Sequence, residues 1–238
     1  MVRMIQFLLL KESYLKSLRL LIDVTISVKI CGVERIESVD IAVKHGAEYI
    51  GFVFYPPSPR NLTLEKATQL IYRVPKHITR VGLFVDPTNS EIKDVLTATD
   101  LDLIQLHGVE SPSRVAEIKQ FTELPILKAI KLAKHRDLES AKDYYDVADH
   151  LLFDAKAPVT LVDALPGGNA ISFDWKLLQH VEIPLPWMLA GGLIAENITE
   201  AVKYSGANTL DVSSGVESAP GIKDLDLIKK FLNTAKTI

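Results

Sequence analysis

From Val28 onward the 238-residue chain repeats one rhythm: a short apolar run, a turn, a helical stretch, then the next apolar run. The runs fall at 26–30, 49–54, 80–85, 102–106, 126–130, 150–154, 187–190 and 208–212. Helical patterns lie between them near 34–45, 64–73, 89–98, 112–121, 137–145, 174–179, 195–204 and 224–235. A run such as Tyr49-Ile50-Gly51-Phe52-Val53-Phe54 is apolar without alternation, which fits a parallel strand buried on both faces. Alternating strands and helices imply right-handed crossovers and a parallel sheet. Eight such units are the number that closes an α/β chain into a (β/α)8 TIM barrel; an open doubly wound sheet is the alternative. With 47% hydrophobic residues the chain can fill one substantial core, and no Pro/Ser-rich linker divides it. The expected organisation is one barrel over 26–238 preceded by an extension over 1–25.

In that extension Met4–Leu10 follows Arg3 as a short apolar stretch, but Lys11, Glu12, Lys16 and Arg19 come directly after it. No small-residue cleavage site is evident. Leu10, Leu15, Leu18 and Leu21 interleaved with those charges read as an amphipathic helix, or the segment marks a start codon upstream of the true one. A net charge of −3 argues against a nucleic-acid or anionic-membrane partner. One cysteine allows no intrachain disulfide and no thiolate zinc cage, and suits a reducing cytoplasm. No apolar run is long enough to span a bilayer.

Barrel chemistry sits where strands hand over to helices. Read in order, those ends carry Cys31-Gly32, Ser58-Pro59-Arg60, Asp86, Gln105-Leu106-His107-Gly108, Lys128 or Lys131, Asp154, Gly191-Gly192 and Asp211-Val212-Ser213-Ser214-Gly215. Cys31 before a glycine and a helix start is expected to have its thiolate favoured by helix amides, although an unpaired cysteine is more often a small buried hydrophobe. Asp154 ends an otherwise apolar strand, as a held acid or as a turn cap. Gly191-Gly192 with Ser213-Ser214-Gly215 on the adjacent strand reads as a phosphate cradle, because glycines admit the anion to the backbone and hydroxyls donate to it. Arg60, in a proline-stiffened loop, is expected to present its guanidinium to a ligand carboxylate, or else to pair with Glu65 at the surface. His107 reads equally well as a satisfied rim histidine and as a ligand contact. The scatter of the other histidines argues against a metal site.

Together these ends resemble the phosphoribosylanthranilate isomerases of tryptophan biosynthesis. The resemblance runs from Val28 to the C-terminus. It is carried by Val28-Lys29-Ile30-Cys31-Gly32, Gly51-Phe52-Val53-Phe54, Ser58-Pro59-Arg60, Leu103-Ile104-Gln105-Leu106-His107-Gly108, Leu152-Phe153-Asp154-Ala155, Leu189-Ala190-Gly191-Gly192 and Asp211–Glu217. It implies a cofactor-independent Amadori rearrangement of a small phosphosugar-anthranilate substrate, with Cys31 as general base and Asp154 as general acid. By the same resemblance Arg60 takes the anthranilate carboxylate, the glycine and serine loops take the phosphate, and Asp211 is a secondary contact; His107, from its place at a strand end, is counted with the substrate-binding residues. It implies no metal or cofactor, and either a monomer or a homodimer.

Two features depart from that family. The extension precedes its usual start, and the loop after the sixth strand reads Pro166-Gly167-Gly168-Asn169-Ala170 where the family usually has Gly-Gly-Ser/Thr-Gly. Losing the last glycine is expected to stiffen a loop that folds over the substrate. Two rival readings are a histidine-pathway isomerase running the same rearrangement and a phosphosugar-binding barrel that has lost catalysis. The first would show paired aspartates and two phosphate sites; the second has no chemical reason to keep both Cys31 and Asp154.

Overall fold

A computed structural model describes residues 25–157 and 165–238; the helix expected within 1–25 lies outside them. Eight parallel strands close into a barrel in chain order: β1 (Ser27–Cys31), β2 (Tyr49–Phe54), β3 (Thr79–Phe84), β4 (Leu103–Leu106), β5 (Ile126–Leu132), β6 (His150–Ala155), β7 (Trp187–Leu189) and β8 (Thr209–Val212). The ring closes where β1 pairs with β8, with Lys29 directly opposite Asp211. Around it pack α1 (Ile36–Lys44), α2 (Leu64–Arg73), α3 (Asn89–Ala98), α4 (Pro112–Thr122), α5 (Ile198–Ser205) and α6 (Leu225–Ala235). Local chemistry starts these helices. Thr88 and Glu91 form a reciprocal capping box on α3, Ser111 caps α4 ahead of Pro112, and Asp224 caps α6 through two backbone N–H groups.

Two expected helices are 3-10 segments instead, at His135–Tyr144 and Trp175–Leu178. In the first, buried Leu138 and Ala141 recur at a spacing of three, the period of a 3-10 turn, and the Asp137 carboxylate accepts from the Ala133 and Lys134 N–H groups to tighten the entry. A short antiparallel pair, β9 (Glu217–Ala219) and β10 (Ile222–Lys223), follows β8 and was not expected. No helix among the described residues is long and apolar enough to cross a membrane.

Burial is layered. Residues facing outward from the strands pack against the helices in one large apolar core. Inside the barrel, Val81, Leu103, Leu127, Ala129, Leu152, Met188 and Ala190 form a second, smaller cluster. Above that floor the lumen becomes polar. Lys29 Nζ donates to Gln105 Oε1 at 2.7 Å and to Asp211 Oδ1 at 2.8 Å, joining β1, β4 and β8 across the lumen. The floor keeps the polar layer and the mouth above it in fixed register, because a strand's side chains alternate between lumen and helix.

Candidate active site

The strand ends open into a cavity of about 790 Å3, open space included, lined by Cys31, Arg60, His107, Asp154, Gly191, Gly192, Asp211, Ser213, Ser214 and Gly215; Asp86, Lys128 and Lys131 do not line it. Cys31 is the last residue of β1 and only 3% exposed. Its thiol is pushed above the ordinary range, first by burial; the Lys29 ammonium pulls the other way, and the nearby Asp211 charge adds to the rise. This corrects the expectation of a thiolate favoured by helix amides, since α1 does not begin until Ile36. The helpful positive charge comes from the lumen, not from a helix terminus. Lys29 itself is held above its usual value: burial opposes its charge, but Asp211 and Cys31 outweigh it.

Asp154 sits on β6. Its Oδ1 accepts from the Ala155 N–H at 2.8 Å, and its Oδ2 lies 3.1 Å from His107 Nε2. The other ring nitrogen, His107 Nδ1, is 2.8 Å from Gln105 Nε2. His107 is therefore both a cavity wall and a fully engaged histidine; the two readings of it are not exclusive.

Arg60 is at the mouth but not presented freely. It is 5% exposed, and its guanidinium is gripped by Glu217, with Nε to Oε1 at 2.7 Å and Nη2 to Oε2 at 2.8 Å. Its partner is thus Glu217 rather than solvent or Glu65. Glu217 also accepts from Lys223 Nζ at 2.6 Å. Burial works against the Glu217 charge, but Arg60 and Lys223 together hold its carboxyl below the usual range. Lys223 Nζ in turn donates to the Ser213 carbonyl at 3.0 Å and hydroxyl at 3.2 Å, so a buried cation stands directly behind the Ser213-Ser214-Gly215 loop. Gly215 is required there: a Cβ would come within 1.8 Å of the Leu193 carbonyl oxygen, so the loops after β7 and β8 touch backbone to backbone. Lys128 is not at the mouth; it faces away and pairs with Glu110 at 2.6 Å.

Residues 28–234 match the family described as N-(5'phosphoribosyl)anthranilate (PRA) isomerase. The chain belongs to this isomerase family. The N-(5'-phosphoribosyl)anthranilate isomerase of Paramagnetospirillum magneticum is 52% identical over 211 residues, covering 89% of this chain and 97% of that protein. That of Paracoccus denitrificans is 50% identical over 210 residues, covering 88% and 97%. Among solved structures, the Thermotoga maritima phosphoribosyl anthranilate isomerase superposes with a TM-score of 0.79 at 35% identity, over 90% of this chain and all (100%) of that one. A phosphoribosyl anthranilate isomerase solved with reduced 1-(o-carboxyphenylamino)-1-deoxyribulose 5-phosphate superposes with a TM-score of 0.75 at 33% identity, over 90% and 100%.

The departure from the family's loop pattern has a local physical answer. Ala170 takes a left-handed φ of 55°, the conformation a glycine would adopt without cost. Asn169 compensates: its Oδ1 accepts from the Leu165 N–H at 3.1 Å and its Nδ2 donates to the Leu165 carbonyl at 2.7 Å. The loop is thereby stapled over the cavity, where the Gly168 carbonyl accepts from Arg60 Nη2 at 3.3 Å. Gly167 lies so close to the acid that a Cβ there would stand 2.7 Å from His107 Nε2 and 3.1 Å from Asp154 Oδ2. Asn169→Ala removes two bonds worth about 1 kcal/mol each, so a KM increase of up to roughly thirtyfold with little change in kcat is expected from steady-state kinetics.

The sequence reading assigns no role to Lys29, Gln105, Glu217 or Lys223. For the first two a signal existed: a lysine inside Val28-Lys29-Ile30 and a glutamine inside Ile104-Gln105-Leu106 interrupt runs buried on both faces, so each must meet a buried polar partner. Glu217 and Lys223 carry no such mark, because both lie in the short β9–β10 hairpin outside the barrel strands.

Proposed function

We propose that Cys31 is the general base and Asp154 the general acid of the family's reaction in this chain, the conversion of N-(5'-phosphoribosyl)anthranilate to 1-(2-carboxyphenylamino)-1-deoxyribulose 5-phosphate. The observation that carries this assignment is that a thiol from β1 and a carboxyl from β6 line one cavity, with the glycine and serine loops after β7 and β8 forming the rim between them. Asp154 gives its proton to the furanose ring oxygen as the C1–O bond breaks, leaving a Schiff base. The resulting iminium acidifies the C2 hydrogen, and the Cys31 thiolate takes it. The enolamine then gains a proton at C1 and loses one from the C2 hydroxyl, yielding the ketone. Each proton transfer by a positioned side chain accounts for about 10²–10⁴ in rate.

Arg60, held by Glu217 so that its position is fixed before the ligand arrives, takes the anthranilate carboxylate. Gly191, Gly192, Ser213, Ser214 and Gly215 take the phosphate, with the Lys223 charge behind them supporting the dianion. Asp211 acts mainly through Lys29. The test is the purified chain incubated with N-(5'-phosphoribosyl)anthranilate, the ketose product being followed by consumption in a reaction with indoleglycerol-phosphate synthase. Absence of turnover in a folded preparation would overturn the assignment.

The pH dependence separates the base from the rest. Because the thiolate is the active form and burial raises the Cys31 pKa, kcat/KM is expected to rise with pH as the thiol ionises. Asp211 adds to that rise in pKa, so Asp211→Asn is expected to move the ascending limb toward acid. A limb that stays in place, or moves toward alkaline pH, would show that Cys31 ionisation does not set it.

A further inference from the structure

The polar layer beneath the cavity is a directed chain whose sense can be read from donor and acceptor chemistry. A lysine ammonium has three donors and no acceptor. Lys29 Nζ, 2.7 Å from the Gln105 side chain, must therefore face its amide oxygen, which leaves the Gln105 NH2 group toward His107. That NH2 can only donate, so the ring nitrogen 2.8 Å away, His107 Nδ1, must hold a lone pair. The proton of the imidazole is then on Nε2, pointed at Asp154 Oδ2 at 3.1 Å. Lys29 cannot turn away, because Asp211 on the adjacent strand β8 holds it at 2.8 Å and it is fully buried (0% exposed).

We propose that Gln105, oriented by Lys29, locks His107 as its Nε2–H tautomer, making His107 a dedicated hydrogen-bond donor to Asp154 and a positioning residue for the proposed acid. It does not shuttle protons: its Nδ1 face is closed by the Gln105 amide. Rotating that amide would set an NH2 against the Lys29 ammonium and an oxygen against the Nδ1 lone pair, two repulsive contacts in a buried layer. The consequence for the reaction lies in what Asp154 becomes. After it yields its proton, each carboxylate oxygen already has a donor, His107 Nε2–H on Oδ2 and the Ala155 N–H on Oδ1, so the new charge meets oriented dipoles without reorganisation. A carboxyl group has further lone-pair positions on both oxygens, which leaves room for the transferable proton in the protonated state.

This inference rests on Asp154 as the proposed acid for its catalytic meaning, but the tautomer itself can be read without turnover. The experiment is nitrogen NMR of the full chain with ¹⁵N-labelled histidine ring nitrogens, the His107 signals being assigned by their loss in His107→Gln. The expected result is an unprotonated Nδ1 and a protonated Nε2 in the native protein. Gln105→Glu replaces the donor with an acceptor and should place a proton on Nδ1, with kcat reduced at least about tenfold and KM within about threefold. A native His107 bearing its proton on Nδ1 would overturn the lock. His107→Gln, which can still offer an N–H to Asp154, is expected to keep at least about tenfold more kcat than His107→Leu. Equal loss in the two would overturn the positioning role while leaving the tautomer intact, and an Asp154→Asn enzyme with native turnover would instead remove the acid.

Discussion

Cys31→Ala is expected to lower kcat by about 10²–10⁴-fold while binding of reduced 1-(o-carboxyphenylamino)-1-deoxyribulose 5-phosphate stays within about tenfold of native. The asymmetry follows from where the sulfur sits. It ends β1 above a lysine, among groups that adjust its ionisation, and makes no part of the loops proposed to hold the phosphate. Removing the thiol takes away the group proposed to accept the C2 hydrogen but leaves Arg60 and the serine loop in place. Alanine also leaves Lys29 with its Gln105 and Asp211 bonds, so no buried charge is orphaned and the fold should persist. Turnover within tenfold of native would remove the base assignment. Loss of analogue binding together with turnover would make Cys31 a packing residue.

Asp154→Asn is expected to have a comparable effect, about 10²–10⁴-fold in kcat, with a different signature. Asparagine keeps the shape, but its one side-chain oxygen can accept from only one of the two donors, the His107 Nε2–H or the Ala155 N–H, so the transferable proton is lost together with one of those bonds. The defect should fall on ring opening. Supplying the base with a substrate already in open-chain form should therefore bypass Asp154→Asn but not Cys31→Ala. Equal deficits with both substrate forms would mean that Asp154 acts after ring opening. Single-turnover kinetics with each variant makes the distinction.

The barrel was legible because its strands are apolar on both faces and its helices carry ordinary caps, signals that survive without any knowledge of tertiary contacts. Cys31, Asp154 and the glycine and serine loops were legible for a related reason: in a barrel the strand end alone tells a side chain where to point. What could not be read was how the charges distribute themselves once the ends converge. Arg60 looks free in sequence, since its captor Glu217 lies 157 positions away and reaches it only because β8 closes against β1. The environment of Cys31 is hidden for the same reason, because the nearest helix terminus in sequence is not the nearest positive charge in space. The segments at 137–145 and 174–179 read as α-helices in sequence because apolar spacings of three and four are hard to separate over so few residues.

Glu217 has two hands. One carboxylate grips Arg60, and through Lys223 it also reaches the carbonyl and hydroxyl of Ser213, so the proposed anthranilate end and phosphate end are tied by one short electrostatic strut. Such a strut works as a ruler. It fixes the span between two anions that a ligand must match, and a chain adapting to a shorter or longer phosphosugar would have to break and remake it before any change in the walls of the cavity could help.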